Sequence, residues 1–172
     1  MVTVEWGAMW KDEKLTAQLR EVSAIRDGVV ISGGLAWHLM SPDHKETKQI
    51  HDHKDVDLFI IPSKFSEVID VLKQRGFGRL WTKYDGITPN FYRYSLSADR
   101  LDGKGHVKVL LDLFVEEVPF IEIKGFKLVE PSYLLTLYNK VHSSSDCTAV
   151  GAARKLLSKG ISPINRPELI GG

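Results

Sequence analysis

A carboxylate sits in the middle of the most apolar stretch of this chain, Val107-Lys108-Val109-Leu110-Leu111-Asp112-Leu113-Phe114-Val115. Such a run reads as a strand, and an Asp in a strand interior is costly unless it is paired or bound to a metal. Whatever fold the chain adopts must bring a partner to Asp112. A second strand-like segment, Asp55-Val56-Asp57-Leu58-Phe59-Ile60-Ile61, opens with two carboxylates two positions apart. The period of two along a strand turns Asp55 and Asp57 to one face and sends Val56 and Leu58 into the core. Adjacent carboxylates repel unless something neutralises them, so the pair invites a divalent cation with hard oxygen ligands. Asp112 is the natural third member of that group.

The surrounding elements follow from periodicity. Leu15, Leu19, Val22 and Ile25 recur at helical spacing within 11–26, and Gly28 ends that helix. Val29, Val30 and Ile31 form a short strand, broken by Ser32-Gly33-Gly34, and a second helix runs from about Leu35 to Met40, before Pro42. The polar residues 41–54 read as a loop. The strand Val56–Ile61 is closed by Pro62-Ser63, and Phe65, Val68, Ile69 and Leu72 mark a helix ending near Gly76. Strands are expected at 78–83, 90–97 and 106–115, with turns at Gly86–Pro89 and Asp102–Gly105. Residues 120–128 read as a hairpin around Lys124-Gly125, and helices are expected over 131–142 and 146–159, the second capped by Ser145 or Asp146. The expectation is an α+β chain with a mixed β-sheet flanked by helices and helices at its C-terminal end. It forms one domain over 1–172, with a core of about 28–158 and a tail over 161–172.

The strand–Ser-Gly-Gly–helix unit places glycines where a strand turns into a helix. Backbone N–H groups there can cradle a phosphate, helped by the positive end of the helix. A phosphate nest beside three carboxylates suits phosphoryl or nucleotidyl transfer assisted by one or two divalent ions. Gly33-Gly34 followed by a helix, then His53-Lys54-Asp55-Val56-Asp57, then Asp112 in a later strand, resembles the nucleotidyltransferase fold of the DNA polymerase β superfamily. The likeness is strongest to the small antibiotic (aminoglycoside and lincosamide) nucleotidyltransferases and their relatives, which carry a His two residues before the first Asp. Gly125–Leu135 is similar to their strand-then-helix segment, leading to a helix with a basic residue, here Lys140. The sequence departs from that pattern in the long loop between Gly34 and Asp55, and in Ser143-Ser144-Ser145, where many relatives are basic.

The resemblance implies an enzyme that moves an NMP unit from an NTP, with Mg²⁺ or Mn²⁺, onto an acceptor hydroxyl. On that resemblance the acceptor would be a small molecule ahead of an RNA end or a protein, and the sequence itself does not choose among them. Asp55 and Asp57 would hold the metal against the triphosphate, and Asp112 would complete a second metal site and take the proton from, or orient, the hydroxyl. Ser32, Gly33 and Gly34 would cradle the phosphates, with His53 and Lys140 as further nucleotide contacts. A second reading is a catalytically weak nucleotide- or partner-binding module on the same fold. A third is a His/Asp metal phosphohydrolase using the His51-Asp52-His53 neighbourhood.

Each of these residues has a plainer explanation. Gly33 and Gly34 also suit a tight turn, His51 and His53 a solvated loop, Lys140 a helix lysine lying along apolar surface, and Asp146 an N-cap. Trp6, Trp10, Trp37 and Trp81 suit core or edge packing. Between Lys73 and Lys108 stand eight Lys and Arg against three Asp, interleaved with Tyr84, Phe91, Tyr92 and Tyr94. That segment reads as a solvated sheet face, or as a surface for an RNA end.

Composition closes off other classes. A formal charge of +1 gives no whole-protein field for DNA or anionic membrane, and no apolar stretch approaches the roughly 20 residues of a membrane span. The N-terminus lacks the build of a signal peptide, so a cytoplasmic location without membrane partners is expected. Cys147 is the single cysteine, which excludes an internal disulfide framework and a Cys-rich zinc site. There is no Gly-x-x-x-x-Gly-Lys-[Ser/Thr], no Gly-x-Gly-x-x-Gly, no His-x-x-x-His and no Gly-x-Ser-x-Gly.

Overall fold

The computed structural model describes residues 12–40, 55–81, 90–96, 109–123 and 125–141. Its first helix, α1 (Asp12–Ala24), buries Leu19 and Val22 as their spacing requires. The strands are β1 (Val29–Ile31), β2 (Val56–Ile60), β3 (Gly78–Leu80), β4 (Phe91–Leu96), β5 (Val109–Val115), β6 (Phe120–Ile123) and β7 (Phe126–Val129). Between them run α2 (Gly33–Met40), a 3-10 turn at Pro62–Lys64, α3 (Phe65–Gln74) and, after β7, α4 (Pro131–Val141). Glu130 caps α4: its carboxylate accepts from the Ser132 and Tyr133 N–H groups at 2.9 and 3.2 Å, while Pro131 fills the first helical position.

The strands form one mixed sheet in the order β3-β4-β5-β2-β1-β7-β6. β2 runs parallel to β5 and β1 parallel to β7; the other neighbours are antiparallel. Cross-strand partners share a face, so the register sorts the side chains into two surfaces. One face carries Ile31, Leu58, Leu113 and Tyr92 in one row, and Val56, Leu111 and Tyr94 in another. Most of these are buried in a cluster that also holds Leu19 and Val22 of α1, Leu35 and Leu39 of α2, and Val68 and Leu72 of α3. The other face carries two rows of a different kind. Asp57, Asp112 and Arg93 stand abreast on β2, β5 and β4, and two residues further along Phe59, Phe114 and Phe91 stand abreast in the same way. The three phenylalanine rings touch in series, with centroids 5.7 and 5.1 Å apart.

These elements match the sequence expectation closely, with local differences. α2 begins at Gly33 rather than Leu35, because the Ala36 N–H already reaches the Ser32 carbonyl at 3.3 Å. Trp81, expected in core or edge packing, stands just beyond the edge strand β3 and is 76% exposed. Its indole stacks on the Arg79 guanidinium at 4.2 Å, and Tyr92 lies 4.6 Å from the same group. The expected loop 41–54, both expected turns, the helix over 146–159 and the tail lie outside the described residues, as do Trp6, Trp10 and Cys147. Among the described residues, no helix is long and apolar enough to cross a membrane.

One buried ion pair ties α1 to the end of α3. The Glu21 side chain, 3% exposed, accepts from Arg75 Nε at 2.6 Å and from Nη2 at 3.2 Å. Arg75→Ala strands that carboxylate and is expected to cost about 2–3 kcal/mol, below the value for a fully enclosed pair because the arginine is partly solvated. Urea unfolding measures it, and Glu21→Gln added to Arg75→Ala should recover part of the loss.

Candidate active site

Asp55 stands just before β2 and Asp57 is its second residue, so both emerge where the strand begins. Asp112 lies at the centre of β5, level with Asp57. One oxygen from each of Asp55, Asp57 and Asp112 lies within 4.8 Å of the other two. The three carboxylates expected from sequence therefore do meet on one face, Asp112 buried and the other two half-buried.

Gly33 fixes the approach of α2 to this group. Its φ of +61° lies in the left-handed region, and a Cβ built there would stand 2.5 Å from Asp57 Oδ2 and 3.2 Å from Asp57 Cβ. Only glycine lets the backbone come this close to the carboxylate in this conformation. The Ser32 N–H donates to the Asp57 carbonyl at 2.8 Å, which fastens the strand-to-helix turn to the base of the acidic pair. That bond narrows the expected phosphate cradle. The Ser32 amide is already engaged, and the N–H groups without a helical acceptor are those of Gly33, Gly34 and Leu35 in the first turn of α2. Lys140 falls within α4, but its side chain, like the whole of His53, is outside the described residues.

The partner of Asp112 is a residue that the motif reading overlooked. Arg93, directly across on β4, donates from Nε to Asp112 Oδ1 at 2.6 Å and from Nη2 to Oδ2 at 2.8 Å. The same Nη2 stands 3.5 Å from Asp55 Oδ2. This two-toothed, charge-assisted grip is the strongest class of side-chain hydrogen bond. It raises the Arg93 pKa well above the usual arginine value, chiefly through the hydrogen bond to Asp112 and also through the charges of Asp112, Asp55 and Asp57, against the opposing effect of burial. In the sequence Arg93 was only one of the eight basic residues of a supposed solvated face. The available signal was symmetry: Arg93 is the one charged residue of Phe91–Leu96, as Asp112 is of Val109–Val115. Other members of that basic set are also engaged, Arg75 with Glu21 and Arg79 with Trp81 and Tyr92. Lys83, Arg100, Lys104 and Lys108 lie outside the described residues.

The donor set fits a hard divalent cation. Three carboxylates supply only oxygen, which suits Mg²⁺ or Mn²⁺ and gives none of the nitrogen or sulfur ligands that zinc favours. The phenylalanine row closes one side of the carboxylate row, and lower local polarity strengthens any charge interaction made there.

No family model matches this chain, and no curated protein matches it in sequence. Among solved structures it is similar to the crystal structure of the Megavirus polyadenylate synthase, with a TM-score of 0.53 and 15% identity. The match covers 91% of this chain and 34% of the synthase, so the chain spans about a third of that protein's length. At this identity the likeness shows the fold: the mixed sheet with helices is nucleotidyltransferase-like.

Gly33→Ala should report directly on the packing of α2 against Asp57. The left-handed backbone costs about 1–2 kcal/mol for a residue with a Cβ, before the clash with the carboxylate is added. The expected result is a lower melting temperature. Gly78→Ala, where an added Cβ meets nothing within 4 Å, should leave it unchanged.

Proposed function

We propose that the chain is a metal-dependent nucleotidyltransferase, which moves an NMP group from an NTP to an acceptor hydroxyl and releases pyrophosphate. The observation that carries this reading is the meeting of Asp55, Asp57 and Asp112 beside the glycine turn into α2. The nucleotidyltransferase-like fold and the name of the synthase it resembles add support.

In this reading Asp55 and Asp57 would hold Mg²⁺ or Mn²⁺, and Asp112 would complete a second metal site. The bound ion supplies charge neutralisation for the triphosphate and for the oxygen that leaves. The first-turn N–H groups of α2 bind phosphate oxygens at the positive end of the helix. Asp112, held by Arg93, is a fixed negative acceptor that orients the incoming hydroxyl. The acceptor oxygen forms a bond to the α-phosphorus, the bond from that phosphorus to the β-phosphate oxygen breaks, and the hydroxyl proton passes to a carboxylate or to water. Positioning and electrostatics account for such catalysis, because the displacement asks for no covalent intermediate on the protein. Lys140 and His53 are proposed as further contacts to the nucleotide, and a small molecule as the acceptor, in line with the antibiotic nucleotidyltransferases that the motif resembles. The whole chain, 1–172, is taken as one such domain acting in the cytoplasm.

Asp112→Asn separates transfer from binding. Asp55 and Asp57 remain to hold the metal-bound nucleotide, so NTP affinity should change little. Transfer should slow by about a hundredfold or more, the usual scale for a group that positions or deprotonates a nucleophile. Pyrophosphate release over an acceptor panel, with nucleotide binding followed in parallel by thermal stabilisation, measures both. Equal pyrophosphate release by wild type and Asp112→Asn removes Asp112 from the mechanism. NTP binding without pyrophosphate release in the wild type favours the binding-module reading.

A further inference from the structure

Three carboxylates whose oxygens share a sphere of 4.8 Å repel strongly in the absence of a counter-charge. Among the described residues, a counter-charge is built in. The Arg93 guanidinium binds both oxygens of Asp112 and stands 3.5 Å from Asp55 Oδ2, with only 28% of its side chain exposed. It comes from the strand on the far side of β5, so the sheet register itself brings it there and no loop has to close. Its aromatic surroundings support the placement: Phe91, two residues before it on the same face, packs on Phe114, two residues beyond Asp112.

Both oxygens of Asp112 already accept from Arg93, so a divalent ion that takes Asp112 as a ligand has to displace the guanidinium or share those oxygens with it. We infer that Arg93 both positions Asp112 and competes with divalent ions for that carboxylate. The inference rests on the nucleotidyl-transfer reading of the same site and adds to it a positioning residue that opposes metal binding.

The two parts of the role separate with two substitutions. Arg93→Gln removes the charge. Arg93→Lys keeps the charge but loses the two-toothed grip, since an ammonium is a point charge and not a planar fork. Mn²⁺ alone is the probe, titrated into the nucleotide-free full chain and followed by calorimetry and by thermal melting. Removing the cation that grips Asp112 and stands 3.5 Å from Asp55 Oδ2 should tighten Mn²⁺ binding by about tenfold or more in Arg93→Gln. Arg93→Lys should keep Mn²⁺ affinity within about threefold of wild type, yet lose about tenfold or more in kcat with little change in KM for the NTP, as expected when a group is misplaced and not removed. A residue that merely held the sheet together would lower metal affinity and kcat together.

Unchanged or weaker Mn²⁺ binding by folded Arg93→Gln overturns the inference. If Arg93→Gln unfolds without metal, Mn²⁺ should restore its melting transition, and failure to do so overturns the inference equally. A wild-type chain that binds no NTP with Mn²⁺ overturns the nucleotidyl-transfer reading instead. The competition between Arg93 and Mn²⁺ is still decided in that case, by the metal-only titration of the two variants.

Discussion

The register among β4, β5 and β2 is the constraint on which the rest depends. It sets Arg93, Asp112 and Asp57 abreast on one face, and Phe91, Phe114 and Phe59 abreast two residues further on. The same register sends Tyr94, Leu111 and Val56 to the opposite face and into the core. A slip of one residue on β5 would put Asp112 among the buried leucines and Leu111 or Leu113 beside Asp57. Packing and chemistry are therefore specified by one alignment. The helices that pack on the core face hold that alignment in place, and α2 approaches a carboxylate through Gly33.

The price of the acidic group is electrostatic, and the chain meets it from within. Asp112 is buried, and a buried carboxylate without a partner would oppose folding by several kcal/mol. Arg93 provides the partner from the neighbouring strand, where a ladder pair can hold it with little loss of side-chain freedom on binding. The glycine turn shows the complementary constraint. Gly33 takes a left-handed conformation that a residue with a Cβ would resist, so that the start of α2 can lie against Asp57.

Most of this was legible in the chain before any fold was known. Alternation in Asp55–Ile61 places its two carboxylates on one face, and the isolation of Asp112 in an apolar run demands a partner. The sequence order strand–Ser-Gly-Gly–helix locates the turn beside them. The identity of the partner was not legible in the same way. Arg93 is separated from Asp112 by 19 positions, and its sequence neighbours, three aromatic residues among them, resemble an amphipathic surface strand as much as an interior one. Nor could spacing reveal that the Ser32 amide is committed to the Asp57 carbonyl, because that bond depends on β1 lying antiparallel to β2.

The sequence by itself determined the class of fold, the strands and helices of the described core, and the chemical nature of the site, because periodicity and isolated charges are local properties of a chain. The tertiary structure decided which strand lies beside which, and hence that the chain's own Arg93 grips Asp112 and reaches Asp55. It also decided how closely α2 approaches Asp57, since that distance is set by a glycine in a left-handed conformation and by the sheet beneath it. Strand order and register are properties of long-range pairing, which no local pattern contains.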